Sequence, residues 1–318
     1  MPAIPTRMCT PPRMTTTSSS TNHRAAADAI ARWFRSAARP LPWREPGTTA
    51  WGVLLSEVMA QQTPVARVAP EWLAWIERWP TPADLADASQ AEVLVAWGRL
   101  GYPRRALNLW RAAAVIRDEH GGVVPSTVAE LEALPGVGSY TARAVLVFAM
   151  GQHHPVVDTN VRRFLARFVD GMSQPRAPRV SADMRQMDEF LPDTAPDSVV
   201  VNQGVMELGA VICTARAPRC GECPVAGSCA WLLAGSPDNA VNTKKPQARF
   251  DGSDRQMRGS ILAVLRADHT RVHSVASIAE SLPTGPLLTP AQRAQFERAV
   301  ESLLDDGLIH GAQGGYTI

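Results

Sequence analysis

The sequence predicts an all-α fold, and three observations carry the prediction. From residue 24 onward, apolar residues recur at helical spacing in one segment after another. No segment between residues 24 and 235 alternates apolar and polar residues as a half-buried strand would. A polar linker at 235–250, "GSPDNAVNTKKPQARF", separates this run from three further helical segments.

Taken in order, the first helix is "RAAADAIARWFRSAA", ended by Pro40 and Pro42. "WGVLLSEVMAQQT", "VAPEWLAWIERW", "PADLADA", "AEVLVAWGRL", "RRALNLWRAAAVIRDEHGG" and "TVAELEALPG" follow, then "YTARAVLVFAMG" and "DTNVRRFLARFV". Such a succession of modest helices predicts two helical lobes with a cleft between them over residues 24–234. Beyond the linker, "DRQMRGSILAVLRAD", "SVASIAESL" and "AQRAQFERAVESLLDDGLI" are helical, and "HGAQGGYTI" can close as a hairpin. Residues 251–318 therefore read as a small winged-helix-like domain.

The length of 318 residues suits about two domains, and a net charge of +2 says little about partners. No uncharged apolar run reaches the about 18 residues of a membrane span. Residues 1–23 are rich in Ser, Thr and Pro, hold no acid and lack the apolar core of an export signal. They read as a disordered tail or as a stretch ahead of a misplaced start codon, and the protein as cytoplasmic.

Cys9 lies alone in that tail, whereas Cys213, Cys220, Cys223 and Cys229 crowd into "CTARAPRCGECPVAGSC". With no export signal, four thiolates in one short loop suit a metal centre better than a disulfide framework. Zinc usually shows two separated cysteine pairs or His partners. A spacing of x6, x2, x5 describes one loop around one compact object, and thiolates alone suit a [4Fe–4S] cluster, with zinc as the alternative.

"LPGVG" at 134–138 sits between two helices. Gly136 and Gly138 allow close backbone approach, and the free amides of a helix opening near Ser139 form a ready phosphate site. Arg143 follows on that helix, and Arg162, Arg163 and Arg167 on the next; a solvated basic face is the ordinary reading of such arginines. Glu57 lies among Leu54, Leu55, Val58 and Met59, where burial would raise its pKa and keep a proton available. Asp158 precedes a helix, so a capping role and a catalytic role both fit it.

Helix, "LPGVG", helix and then an Asp about 20 residues on resembles the helix–hairpin–helix DNA glycosylases. The cysteine loop is similar to that of their iron–sulfur branch, which includes endonuclease III and the MutY-type adenine glycosylases. The resemblance covers roughly residues 24–245 and implies a two-lobed helix–hairpin–helix glycosylase domain. Tyr140 stands where endonuclease III-like enzymes carry a lysine nucleophile, which implies base removal without an efficient lyase step. "PWR" at 42–44 and "SEVMAQQT" at 56–63 resemble MutY, in which the glutamate protonates the departing adenine. The resemblance implies Glu57 as acid, Asp158 as the carboxylate stabilising an oxocarbenium ion, and Tyr140 and Asn160 ordering the site. Thr159 replaces the glycine usual between this Asp and Asn, putting the local backbone shape in question.

By the same resemblance, Arg143, Gln61, Gln62 and Tyr102 meet DNA, the last two as wedges filling the gap left by a flipped nucleotide. Trp43, Arg44 and Glu207 match positions lining the adenine pocket; Glu207 unassisted would be called a surface charge. Arg216 and Arg219 on the cysteine loop would meet phosphates. The implied partner is duplex DNA carrying adenine opposite 8-oxoguanine or guanine, bound by a monomer in a bacterial cytoplasm. Residues 251–318 are too few for the Nudix-like domain with which MutY-type enzymes inspect 8-oxoguanine. The alternatives are a glycosylase of the same fold acting on mismatched thymine, and a non-enzymatic iron–sulfur DNA-binding protein.

Overall fold

Short polar side chains begin most of the helices. Thr49, Thr81, Ser89 and Thr127 each accept a hydrogen bond from an amide one turn inside their helix, as do Ser253, Ser274 and Thr289 farther along. Each such cap satisfies a donor that the helix cannot pair internally and contributes about 1 kcal/mol. Thr81 with Asp84, Ser89 with Glu92 and Thr289 with Gln292 form reciprocal capping boxes.

The computed structural model describes residues 16–240, 249–283 and 289–318. Its helices are α1 (Thr16–Ala37), α2 (Ala50–Ala60), α3 (Val65–Arg78), α4 (Pro82–Ala86) and α5 (Gln90–Trp97). There follow α6 (Arg104–Glu119), α7 (Val128–Ala133), α8 (Ser139–Met150), α9 (Thr159–Phe168) and α10 (Val180–Asp188). The last are α11 (Ala195–Val211), α12 (Ala230–Leu233), α13 (Asp254–Ala267), α14 (Val275–Ser281) and α15 (Pro290–Asp305). Strands β1 (His310–Ala312) and β2 (Gly315–Thr317) close an antiparallel hairpin, and His273 bridges to Tyr316 beside it. Helix α1 begins at Thr16, inside the segment 1–23 expected to be a tail. A Ser/Thr run is a modest helix former, but here it extends an alanine-rich helix already nucleated. Residues 1–15, with Cys9, lie outside the described residues.

The chain divides into two compact units whose boundaries cut across the expected ones. One comprises Met1–Arg39 and Gly151–Thr243, the other Pro40–Met150 and Lys244–Ile318. We call them the cluster unit and the hairpin unit.

In the cluster unit, α1, α9 and α11 pack around Ile30, Phe164, Phe168, Phe190 and Val205. In the hairpin unit, α2 is buried along nearly its whole length and packs on α3 and α8. Five tryptophans (Trp51, Trp72, Trp75, Trp79 and Trp97) lie in the core beside it. Four of these indoles find acceptors inside the core: Trp51 donates to the Trp79 carbonyl, Trp72 to Gly52, Trp75 to Ala96 and Trp97 to Gly101. Residues 251–318, expected as a separate domain, belong to this unit. Met257, Ile261, Leu265, Phe296 and Leu303 continue the core made by α2–α8.

Candidate active site and iron–sulfur loop

Asp158 ends an extended stretch and opens α9 from the N-cap position. Its Oδ1 accepts from the Val161 amide at 2.7 Å and its Oδ2 from Asn160 Nδ2 at 2.7 Å. Capping thus occupies one oxygen only, and the capping and catalytic readings are compatible. Asn160 Oδ1 in turn accepts from Arg163 Nη2 at 2.9 Å. Desolvation by burial raises the Asp158 carboxyl above its ordinary value, against the lowering pull of the Val161 and Asn160 hydrogen bonds and the Arg163 charge. Thr159 lies in the first helical turn and needs no left-handed backbone, so the missing glycine leaves the helix start regular.

Two further elements fix this turn. Asn202 on α11 accepts from the Val156 amide at 2.9 Å and donates to the His154 carbonyl at 3.0 Å, pinning the strand-like approach to Asp158. Gly209 on α11 presses on α9: an added Cβ would lie 2.8 Å from the Asn160 carbonyl oxygen. Only glycine permits that approach.

Arg163 and Arg167, expected on a solvated basic face, are instead buried. Arg163 donates to the carbonyls of Cys213 and Gly209, and Arg167 to those of Ser173 and Thr214, with its Nη1 3.3 Å from Cys213 Sγ. They brace the cysteine loop from inside, satisfying carbonyls that the irregular loop cannot pair itself. Arg162 pairs with Asp183 at 2.8 Å. Arg219 engages Glu222 and the Val211 carbonyl, while Arg216 is exposed.

Cys213, Cys220, Cys223 and Cys229 line one pocket with Phe164, Phe168, Ile212, Val225 and Trp231, and none of the four is in a disulfide. Burial and the neighbouring thiols push Cys223 up to about 11. Four mutually close thiols in an apolar setting are poor thiolates without a compensating positive centre, which a bound iron–sulfur cluster provides. Among the described residues, no group of His, Cys, Asp or Glu converges on a single-ion position. The donor set and its shared pocket fit a [4Fe–4S] cluster.

Glu207 is buried on α11, not on the surface. Its carboxylate takes Nε and Nη2 of Arg39, the latter at 2.9 Å, and this pairing raises the Arg39 pKa. Truncating Arg39 would strip a buried carboxylate of its guanidinium partner, a destabilising change.

In the hairpin unit, Thr49 starts α2 and Glu57 is the half-buried residue among neighbours buried on either side. Tyr140, also half-buried, lies in the first turn of α8, the helix against which α2 packs. Gln61 bridges these helices, its Nε2 3.5 Å from Thr141 Oγ1. Trp43 and Arg44 form a 3-10 turn, with the Trp43 ring edge-on to Trp72 at 6.0 Å.

Between α7 and α8, Leu134 and Val137 are buried while Gly136 and Gly138 face outward. Gly136 has φ +78°, and an added Cβ would meet Asn108 Cβ at 2.7 Å, so the turn requires glycine on both counts. Arg143 is tied to Ser139 Oγ at 2.6 Å and Glu132 at 3.1 Å; it staples the turn as well as charging it.

Gln62 and Tyr102 are exposed and have φ of +57° and +48°. Arg105 on α6 joins their two loops. Its Nη1 donates to the carbonyls of Val58 (2.8 Å) and Met59 (2.9 Å), its Nη2 to Thr63 Oγ1 (3.0 Å) and to the carbonyls of Leu100 (3.2 Å) and Gly101 (2.9 Å). Burial lowers the Arg105 pKa to about 10.

Arg39, Arg105, Asn202 and Gly209 were not singled out by sequence. Their partners lie up to 168 residues away, and only Gly209, a helical glycine next to matched Glu207, left a local mark.

Comparison with known proteins gives the family and the fold. The family model described as HhH-GPD superfamily base excision DNA repair protein matches residues 55–187, and that for the iron–sulfur binding domain of endonuclease III matches 213–229. The chain is 50% identical over 279 residues to the adenine DNA glycosylase of Mycobacterium tuberculosis, covering 87% of this chain and 88% of that one. Among solved structures, a thermostable thymine-DNA glycosylase superposes with a TM-score of 0.62 at 24% identity, covering 68% of this chain and 99% of its own. A trapped endonuclease III–DNA covalent intermediate gives 0.59 at 24% identity, covering 70% and 100%. At that identity the structural likeness speaks for the fold alone.

Proposed function

Because the chain belongs to the HhH-GPD superfamily of base excision DNA repair proteins, in its adenine DNA glycosylase branch, we propose that it hydrolyses the N-glycosidic bond of adenine opposite 8-oxoguanine or guanine. Its partner is duplex DNA, and its cofactor a [4Fe–4S] cluster on Cys213, Cys220, Cys223 and Cys229. The observation that carries the reading is the identity, over most of both chains, to a relative named for adenine removal.

Glu57 protonates the departing base as the C1′–N bond breaks and its electron pair leaves with the adenine. Positive charge then develops on the sugar, and the Asp158 carboxylate stabilises it. The Val161 amide and the Asn160 side chain hold that carboxylate in place before the reaction. Asp158 must be ionised despite its raised pKa, so its task is confined to pH above that value. Water adds to C1′ and its proton passes to solvent, from which the Glu57 carboxylate is reprotonated for the next turnover. Tyr140 offers no amine for a Schiff base, so an intact abasic strand remains.

Gln62 and Tyr102 fill the gap in the stack, with Gln61 beside them, Trp43 and Arg44 contribute to the base pocket, and the outward amides around Gly136 and Gly138 bind backbone phosphate. Glu207 supports the site through its pairing with Arg39. When bound, the iron–sulfur cluster supplies a fixed four-thiolate knot that holds residues 213–229. Arg163 and Arg167 connect that loop to Asn160 and α9.

The test is single-turnover incubation with duplexes carrying adenine opposite 8-oxoguanine, guanine or cytosine, and thymine opposite guanine, half of each treated with alkali. Strand breaks only after alkali, and only for adenine opposite 8-oxoguanine or guanine, are expected. Breaks at thymine would move the assignment to the thymine mismatch, and breaks without alkali would contradict the monofunctional reading.

A further inference from the structure

The loop that carries Tyr102 is held from two directions, and one of them is the C-terminal segment. The chain leaves α5 at Gly98, whose φ of +51° and ψ of −123° favour glycine. It reaches Tyr102 at φ +48° immediately before Pro103, a position where proline disfavours all but extended backbone. Strain of this kind persists only where surrounding contacts over-determine it. Arg105 and the Trp97 indole, which donates to the Gly101 carbonyl at 2.9 Å, supply the contacts from α5 and α6.

The rest come from residues 251–318. Arg266, near the end of α13, donates its Nη1 to the Gly98 carbonyl at 2.6 Å. Its Nε is buried without a hydrogen-bond partner, and desolvation lowers its pKa to about 10. A leucine there would bury at less cost, so this arginine is poorly explained by core packing. Asp306, just after α15, takes Arg258 with one oxygen and stands 3.4 Å from Arg104, the first residue of α6, with the other. Gln90, opening α5, donates to the Gly307 carbonyl at 2.9 Å. The C-terminal segment therefore grips both ends of α5 and the start of α6.

The winged-helix-like reading would make α15 the natural element to lay on DNA, but its chemistry is wrong for that. Glu297, Glu301 and Asp305 are exposed at four-residue spacing along one stripe of α15, with Arg293 at its start and Arg298 beside it already paired with Asp254. Such a stripe repels phosphates.

We propose that residues 251–318 act as a positioning element, in which Arg266 and Asp306 hold the loop at 98–104 so that Tyr102 can keep a flipped nucleotide's gap open. This rests on the reading of Tyr102 as a wedge. Unstacking a base step costs free energy, and restacking pushes back on whatever fills the gap. A slack loop yields to that push. The resulting defect must grow with the cost of extruding the base, whereas a merely structural fault reduces the active fraction equally on every substrate.

The test uses the full chain with Arg266→Met, Arg266→Lys and Asp306→Asn. Amide exchange is followed over residues 98–104. Single-turnover excision is compared on a duplex with matched flanks and on one whose mismatched flanks leave the adenine already unstacked. A 2-aminopurine next to the target reports unstacking on binding whether or not the base is released.

For Arg266→Met, exchange at 98–104 should quicken while α8 is unchanged. Its rate should fall about tenfold on matched flanks, the worth of one hydrogen bond from a charged group, and less than about threefold on mismatched flanks. The fluorescence rise on binding should shrink, and Arg266→Lys, which keeps a donor, should fall between. Equal losses on both duplexes, or unchanged exchange at 98–104, would overturn the proposal. If Arg266→Met does not fold, Asp306→Asn, which loosens the separate tie to Arg104 at the other end of the loop, carries the same comparisons. Should the parent protein release no adenine at all, the glycosylase reading fails, and exchange with fluorescence still decides this one.

Discussion

The two units hold the groups proposed as catalyst and wedge in opposite ways. Around Asp158 the cluster unit builds a closed polar network: one oxygen caps α9, the other takes Asn160, Asn160 takes Arg163, and Arg163 reaches the carbonyls of Gly209 and Cys213. The hairpin unit instead presents Gln62 and Tyr102 at positive φ, exposed, on loops clamped by Arg105. A group that acts on developing charge must be oriented by dipoles fixed in advance, and a low-dielectric network does that. A group that acts by occupying volume needs only a backbone that cannot give way. The first kind of site fails when one polar partner is lost, the second when a clamp is loosened.

Asp158→Asn should produce the largest effect, because it removes charge and keeps shape. Single-turnover excision is expected to fall by about 10³-fold or more. Asparagine caps a helix as well as aspartate does, so the fold should stand. The sign of the stability change follows from linkage. The folded Asp158 carboxyl has a raised pKa, so the folded state binds its proton more tightly and loses stability as pH rises through that value. The neutral variant escapes this loss, and its melting temperature at pH 8 should be no lower than the parent's in calorimetry. In the parent, activity should disappear on acidification at a pH above the ordinary carboxylate range, since the ionised form is needed.

Gly209→Ala strikes the same network through backbone. The new methyl would sit 2.8 Å from the Asn160 carbonyl oxygen and force α11 and α9 apart. A loss of about 2–4 kcal/mol is expected in denaturant titration, with the 213–229 loop loosening along with it. Arg105→Met tests the other unit: the five acceptors that the guanidinium joins across two loops lose it together, although Gly101 keeps the Trp97 indole and Leu100 the Thr63 hydroxyl. Excision should drop about 10- to 100-fold with DNA affinity changed less, and Lys should rescue poorly because an ammonium cannot fork to two loops. Arg143→Gln should matter least. That guanidinium is already committed to Ser139 and Glu132, so affinity should fall less than about threefold and the salt slope should change by less than about one contact.

Much of this was legible in the sequence because it is local. The helical periodicities, the cysteine spacing, the glycine turn before Ser139 and the Asp before α9 are each written within a few residues, and the fold places them as read. What escaped depends on partners distant in the chain. Arg163 and Arg167 lie four apart on one face of α9, a pattern shared by solvated and buried arginines. The carbonyls that bury them belong to residues 209–215. Glu207 reads as a surface charge until Arg39 is seen beside it, 168 residues earlier. The helix start at Thr16 was missed because Ser and Thr carry weak helix preference of their own. The absorption of residues 251–318 into the hairpin core was missed because their apolar stripes do not say what they face.

The most direct measurement is the single-turnover rate of Glu57→Gln on adenine opposite 8-oxoguanine, with its affinity for the same duplex measured alongside. Glutamine keeps the size of the side chain and removes the proton that the departing base needs. Affinity within about threefold of the parent and excision reduced by about 10³-fold or more are predicted. A variant that still excises adenine within tenfold of the parent rate would contradict the account, because the acid would then have to be some group other than Glu57.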